Sequence, residues 1–102
     1  MAGRLQFRMY TINKGKMDEF LSAWRQSVVP LRAKFGFQVQ GGWVVENENR
    51  FYWLMAFEGD DWDKAEEAYY NSPERTNLNP SPSQFVAHME LRFVHFEPTV
   101  KS

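Results

Sequence analysis

The stretch Phe51-Tyr52-Trp53-Leu54-Met55-Ala56-Phe57 reads as a strand that is apolar on both of its sides. A strand with one dry and one wet face alternates, whereas an unbroken apolar run belongs to a sheet covered on both faces. How many layers the chain can supply follows from the segments around it. Upstream, Leu5 to Ile12 alternates with a period of two, with Leu5, Phe7, Met9 and Thr11 on one side and Gln6, Arg8, Tyr10 and Ile12 on the other. The period then changes. Met17, Phe20, Leu21, Trp24, Val28, Leu31 and Phe35 recur at steps of three and four, the apolar stripe of a helix. Asp18 and Glu19 in its first turn and Arg32 and Lys34 in its last suit the helix dipole. Gly36 is placed to end it in the left-handed conformation, and Pro30 predicts a kink or weak turn.

Phe37 to Val45 forms a second strand, in which Gly41-Gly42 predicts a bulge or a close approach. A polar hairpin loop, Glu46-Asn47-Glu48-Asn49, leads into the apolar strand, Arg50 to Glu58. Asp60 or Asp61 can cap a second helix ending near Asn71, with Trp62, Ala65 and Tyr69 inward and Asp63, Lys64, Glu66 and Glu67 toward water. Ser72-Pro73-Glu74-Arg75 reads as a cap followed by one brief helical turn, and Asn77 to Ser83 as loop. A last strand runs from Phe85 to about Phe96, and Glu97 to Ser102 should be loose.

The order strand, helix, strand, strand, helix, strand is the ferredoxin-like βαββαβ pattern of an α+β fold, with a four-stranded antiparallel sheet and two helices on one face. With 102 residues there is room for a single domain, residues 1–102, with an ordered core of about 4–97. Two helices cover one face of that sheet, so the apolar run at 51–57 needs a second cover. A second copy stacked sheet to sheet supplies it, and a homodimer is the expected partner.

Bulk composition removes several classes of function. A formal charge of −1 gives no field to attract nucleic acid or an anionic membrane, and no apolar run approaches a membrane span. The start, Met-Ala-Gly-Arg-Leu-Gln, lacks a signal-peptide stretch, and the absence of cysteine excludes thiolate chemistry and disulfides. A cytoplasmic protein without metal or cofactor is expected. His88 and His95 are an odd number apart on a strand and so point to opposite faces, which argues against a shared metal.

If Leu5, Phe7 and Met9 pack on the helices, Arg8 and Tyr10 face the other way. By the same logic Ala87, Met89, Leu91 and Phe93 pack inward and Val86, His88, Glu90, Arg92 and Val94 outward. First and last strands are neighbours in this topology, so one surface should gather Arg8, Tyr10, His88, Glu90 and Arg92. Their chemistry suits a small-molecule cavity inside the paired sheets. Arginine would hold a carboxylate or phenolate, His88 and Tyr10 would be the catalytic pair that moves a proton, and Arg8, Arg92, Glu90, Trp43 and Tyr52 would bind the ligand. The plainer reading is that Glu90 pairs with an arginine and that the interior is packed solid. The chain would then be a non-catalytic interaction module, met through Asp61, Asp63, Glu66 and Glu67 or the loop Asn77 to Ser83. Residues 71–83 are also long enough to act as a lid.

Tyr10-Thr11-Ile12, Gly15-Lys16-Met17, Glu19-Phe20, Trp24 and Val29-Pro30-Leu31 resemble the NIPSNAP family. Lys34-Phe35-Gly36, Trp53-Leu54, Phe57, Gly59 and Ala68-Tyr69-Tyr70-x-Ser72-Pro73-Glu74-Arg75 extend the likeness over nearly the whole chain. The resemblance implies a dimeric α+β barrel, in which the sheets of two chains close on one another. It names no reaction. Similar barrels include cofactor-free monooxygenases of quinol-like aromatics and isomerases, which implies a small aromatic or polyketide-like ligand. Haem-degrading barrels use a histidine on a helix, and neither helix here carries one.

Overall fold

The computed structural model describes residues 3–100. Four strands, β1 (Arg4–Ile12), β2 (Phe37–Val45), β3 (Arg50–Phe57) and β4 (Val86–Val94), form one antiparallel sheet in the order β2-β3-β1-β4. One face is crossed by a long helical arm, α1 (Met17–Ala23) continued by α2 (Val29–Lys34), and by α3 (Trp62–Asn71). A short α4 (Pro73–Thr76) and a 3₁₀ turn at Pro82–Phe85 lead back to the sheet. Residues 95–100 carry neither helix nor strand, and the end of the tail expected to be loose lies outside the described residues.

The irregularity expected around Pro30 lies just ahead of it. A π turn over Trp24–Val28 joins α1 to α2, and the Val29 N–H reaches back five residues to the Trp24 carbonyl. Proline lacks the N–H for an ordinary bond to the carbonyl four residues back, and the widened turn just ahead of it absorbs the mismatch. A turn closing on the fifth residue also keeps Trp24, Val28 and Arg32 nearer to one line along the inner side of the arm. Gly36 ends the arm at φ +91, as its position after Phe35 predicts. The caps of the second helical layer are those read from the sequence. Asp61 accepts from the Lys64 N–H at the start of α3, and Ser72 accepts from the Arg75 N–H ahead of Pro73 in α4.

The sides of β1 are the reverse of the expectation. Gln6, Arg8, Tyr10 and Ile12 are buried beneath the helices, and Leu5, Phe7, Met9 and Thr11 face away. Register fixes the same split across β3, where Phe51, Trp53 and Met55 oppose Tyr10, Arg8 and Gln6, and Tyr52, Leu54 and Ala56 share the other face with Met9, Phe7 and Leu5. Both sets are apolar enough to pack, so the alternation alone did not decide between them. The core therefore holds Phe20, Phe37, Phe51, Trp53, Met55, Trp62 and Tyr69, joined by edge-to-face rings such as Trp24–Phe51 at 4.9 Å and Phe20–Phe51 at 5.3 Å. On β4 the inward set is Met89, Leu91 and Phe93, as expected, but Val86 joins it instead of facing out. The register shifts between Thr11 and Ile12, so Ile12 opposes Val86 while Thr11 opposes His88.

The β2 bulge lies between Val39 and Gly41, where two glycines were read as an irregularity. Gly42 is there for space. A Cβ at this position would sit 2.5 Å from Phe51 Cζ and 2.9 Å from Trp24 Cη2. Gly42→Ala should force the ring of Phe51 from its site and lower stability by about 1–3 kcal/mol, the usual range for overpacking a filled core. Urea unfolding followed by tryptophan fluorescence measures this, and an unchanged midpoint would show that the ring moves freely.

Candidate functional site

Three layers meet beneath α3. From the sheet, Arg8 rises into the helix–sheet interface with its side chain 1% exposed, and Arg32 descends from α2, also 1% exposed. Burying two guanidinium groups side by side requires a counter-charge. Glu66 of α3 provides it, accepting from Arg8 Nη2 at 2.7 Å and from Arg32 Nη1 at 2.6 Å. Glu66 was expected to face water. It is instead the carboxylate that joins sheet, first helical arm and second helix.

The remaining donors of Arg8 are largely used, those of Arg32 less so. Arg8 Nε donates to Gln6 Oε1 at 2.7 Å, and Arg8 Nη1 donates to the hydroxyls of Tyr10 at 3.1 Å and Tyr70 at 3.3 Å. Arg32 Nη2 donates to the same Tyr70 hydroxyl at 3.1 Å, and its guanidinium lies 3.8 Å from the centre of the Tyr69 ring. Burial disfavours charge on Arg8, but Tyr10, Tyr70 and Glu66 more than offset this and hold its pKa above the ordinary value. Burial pushes the Tyr10 phenol up, against the pull of Arg8, so its proton stays on at neutral pH. Tyr69 is raised for the same reason, with Arg32 and Arg75 opposing.

Beside this network lies a cavity of about 80 Å³. Phe20, Trp24, Val28 and Arg32 wall it from the helical arm, and Tyr10, Trp53, Val86 and Met89 from the sheet. Tyr69, Tyr70, Arg75, Pro82 and Ser83 close the third side. Residues 71–83, expected as a loop and possible lid, thus contribute part of the rim. Among the described residues four buried side-chain nitrogens find no acceptor: Trp24 Nε1, Trp53 Nε1, Arg32 Nε and Arg75 Nε. All four belong to residues of this cavity.

The residues expected to gather on one surface are divided between the two faces of the sheet. Arg8 and Tyr10 are on the helix side, with Tyr10 in the cavity wall. His88, Glu90 and Arg92 oppose Thr11, Met9 and Phe7 on the open face, and Tyr52 and Trp43 pair with each other there. Glu90 sits between His88 Nε2 at 3.4 Å and Arg92 Nη2 at 3.2 Å, with all three side chains between 47% and 66% exposed. A shallow hollow of about 120 Å³ reaches from Met9 and Thr11 to Arg50, Tyr52, His88 and Glu90. Trp43 is 53% exposed. Arg32, Glu66, Tyr70 and Arg75 were not foreseen as site residues. The available signal was that Arg32 falls four residues after Val28 on the inward stripe, and Glu66 falls between Trp62 and Tyr69 on the other. A wider groove of about 490 Å³ runs between α1 and residues 78–85, but its ionisable residues, Asp18 and Glu19, are exposed.

The fold and its cavity can now be set beside known proteins. The family profile named NIPSNAP matches residues 5–99. The chain belongs to the NIPSNAP family. A crystal structure of a NIPSNAP family protein from Agrobacterium tumefaciens superposes with a TM-score of 0.82 at 18% identity, over 96% of this chain and 96% of that one. An uncharacterised NIPSNAP domain protein from Burkholderia xenovorans gives a TM-score of 0.76 at 18% identity, over 97% and 99%. A putative antibiotic biosynthesis monooxygenase from Bacteroides thetaiotaomicron has the same fold, with a TM-score of 0.69 at 14% identity over 98% and 95%. A search of curated proteins found no match. Among the described residues of this NIPSNAP chain, no helix is long and apolar enough to cross a membrane.

Removing the shared counter-charge tests the network. Glu66→Gln should destabilise the fold by about 3 kcal/mol, near the low end for breaking a buried ion pair, because Glu66 itself is 23% exposed. Glu19→Gln, which breaks the exposed pair with Lys16, should leave the urea midpoint unchanged within error. Equal effects from the two would mean that Glu66 does not carry the two arginines.

Proposed function

We propose that each NIPSNAP chain binds a compact, single-ring aromatic molecule in the cavity between its helices and its sheet. The observation that carries this reading is the pair of indole N–H groups, Trp24 Nε1 and Trp53 Nε1, buried in residues of an aromatic-walled cavity and without an acceptor among the described residues. A buried donor left unpaired costs about 1–3 kcal/mol, and an oxygen carried on a bound ring would recover part of it. The rings of Phe20, Trp24, Trp53 and Tyr10 already pack edge to face, a geometry that receives another ring readily. Size narrows the ligand. About 80 Å³ is roughly half the ~150 Å³ engineered cavity that takes benzene, so a single ring enters only in part, its remainder lies at the rim, and a fused polyketide is too large.

A putative monooxygenase built on the same fold supports reading the ligand as a substrate as well as a cargo. Within the cavity the neutral Tyr10 phenol, fed by Arg8, is the residue suited to move a proton to or from a ring oxygen, as in a cofactor-independent monooxygenase- or isomerase-like step. A packed, non-catalytic interaction module is the other reading, and the unpaired donors around an open space argue against it.

We further propose that two copies pair through their open sheet faces. Leu5, Phe7, Met9 and Leu54 are only half-buried there, and Trp43 projects beside them. A two-fold pairing would cover the same patch on both copies and bring His88, Glu90 and Arg92 to the space between them.

Titration with phenol, followed by the indole N–H resonances of the four tryptophans, tests the site. Trp24 and Trp53 should shift saturably while Trp43 and Trp62 stay still. A shift confined to Trp43 would move the site to the open face, and no shift at all would overturn the reading. Sedimentation tests the pair: the mass should be that of two chains, and Leu54→Arg should reduce it to one with unchanged far-ultraviolet circular dichroism. A single-chain mass for the unsubstituted protein would contradict the pairing.

A further inference from the structure

We propose that the cavity selects a small carboxylate: an anion whose flat part rests against Trp24 and Trp53 and whose carboxylate meets Arg32 and Arg75. This rests on the reading of the cavity as a ligand site and adds the ligand's charge. Its basis is a separate observation, the balance of charge and of hydrogen-bond donors around that space.

Arg8, Arg32 and Arg75 surround the cavity or abut it, and one carboxylate, Glu66, answers them. Both oxygens of Glu66 are taken, one by Arg8 and one by Arg32. Among the described residues Arg75 has no acidic partner. It donates to the Ser81 hydroxyl at 3.5 Å, acts on the Tyr69 hydroxyl, and its guanidinium lies 5.3 Å from the centre of the Tyr70 ring. The carboxylate beside it in sequence, Glu74, points away to Lys34 at 2.6 Å. Three cations against one anion leave a formal excess of two positive charges, with Arg8 and Arg32 buried and Arg75 partly so, and an anion joining them would offset the cost.

The hydrogen-bond inventory agrees. The Tyr10 hydroxyl accepts from Arg8 and the Tyr70 hydroxyl accepts from both Arg8 and Arg32, so each has its own O–H left to give. The Nε–H groups of Arg32 and Arg75 and the two indole N–H groups add further unpaired donors. The Ser83 hydroxyl in the rim shares a hydrogen bond of 3.0 Å with the Ser81 hydroxyl. A site that offers donors and almost no acceptors fits a group that accepts only, and a carboxylate, unlike an alcohol or amine, brings acceptors alone. Guanidinium groups also match its planar pair of oxygens.

The test compares benzoate with benzyl alcohol, of similar shape and without the charge, by calorimetry and indole N–H shifts at pH 7 on the full chain. Benzoate should bind about tenfold or more tightly than benzyl alcohol, a difference of at least about 1.4 kcal/mol. Arg75→Gln should remove most of that preference, and Arg75 makes no ion pair on which folding depends. Equal affinity for the two compounds, or an unchanged preference in the variant, overturns the assignment of an anion while leaving an aromatic site intact. If phenol, benzyl alcohol and benzoate all fail to move Trp24 and Trp53, the ligand site itself falls and this inference with it. The comparison in the unsubstituted protein decides the matter even if Arg75→Gln does not fold.

Discussion

Glu66 holds two buried arginines from different layers, and most of the molecule's other features follow from that arrangement. Arg8 belongs to the sheet, Arg32 to the first helical arm and Glu66 to the second helix. The bridge can form only if Arg8 points toward the helices. Side chains alternate along a strand, so this choice sends Leu5, Phe7 and Met9 to the opposite face. The apolar open face and the charged helix-side network are therefore two consequences of one constraint. A charge drawn inward on one side of β1 requires apolar residues outward on the other, and those residues in turn need a cover.

The architecture was legible because local signals agreed with one another. Asp61 and Ser72 cap the helices that their positions predict, Gly36 takes the left-handed conformation, and the double glycine marks the β2 irregularity. β4 was readable in the same way over most of its length. Met89, Leu91 and Phe93 contrast sharply with His88, Glu90 and Arg92, so its side toward the helices was not in doubt. On β1 the contrast fails, since Leu5-Phe7-Met9 and Tyr10-Ile12 can each serve as a core face. Rules of polarity then assign Arg8 outward by default, because arginine is seldom fully buried without a partner.

The partner was itself hidden by the same default. Glu66 looks like one more solvated residue among Asp63, Lys64 and Glu67, and Arg32 like a charge placed for the helix dipole. Their spacing says otherwise. Arg32 continues the line of Trp24 and Val28, and Glu66 lies four residues after Trp62 and three before Tyr69, on the side that turns inward. Opposite charges on two inward stripes, with an arginine at the middle of the adjoining strand, form a pattern visible only when three elements are considered together. A residue-by-residue reading puts Glu66 in water, Arg32 at a helix end and Arg8 on the paired face of the sheet. A joint reading finds an ion-pair network with two cations and one anion.

The division of the sheet into two faces also separates two kinds of work. Every wall of the cavity comes from one chain, so a ligand there needs no residue from a second copy. The faces nevertheless share their strands. Tyr10 and Trp53, in the cavity floor, alternate with Met9, Thr11, Tyr52 and Leu54 on the open side. Strands are stiff along their length and cannot tilt one side chain without moving its neighbours, so a load on the open face bears on the cavity floor. The helical walls are fixed differently. The π turn sets Trp24 and Val28, Gly42 admits the rings of Phe51 and Trp24, and Glu66 locks Arg32. The open face and the cavity thus meet in the same two strands, β1 and β3, whose alternating side chains serve both.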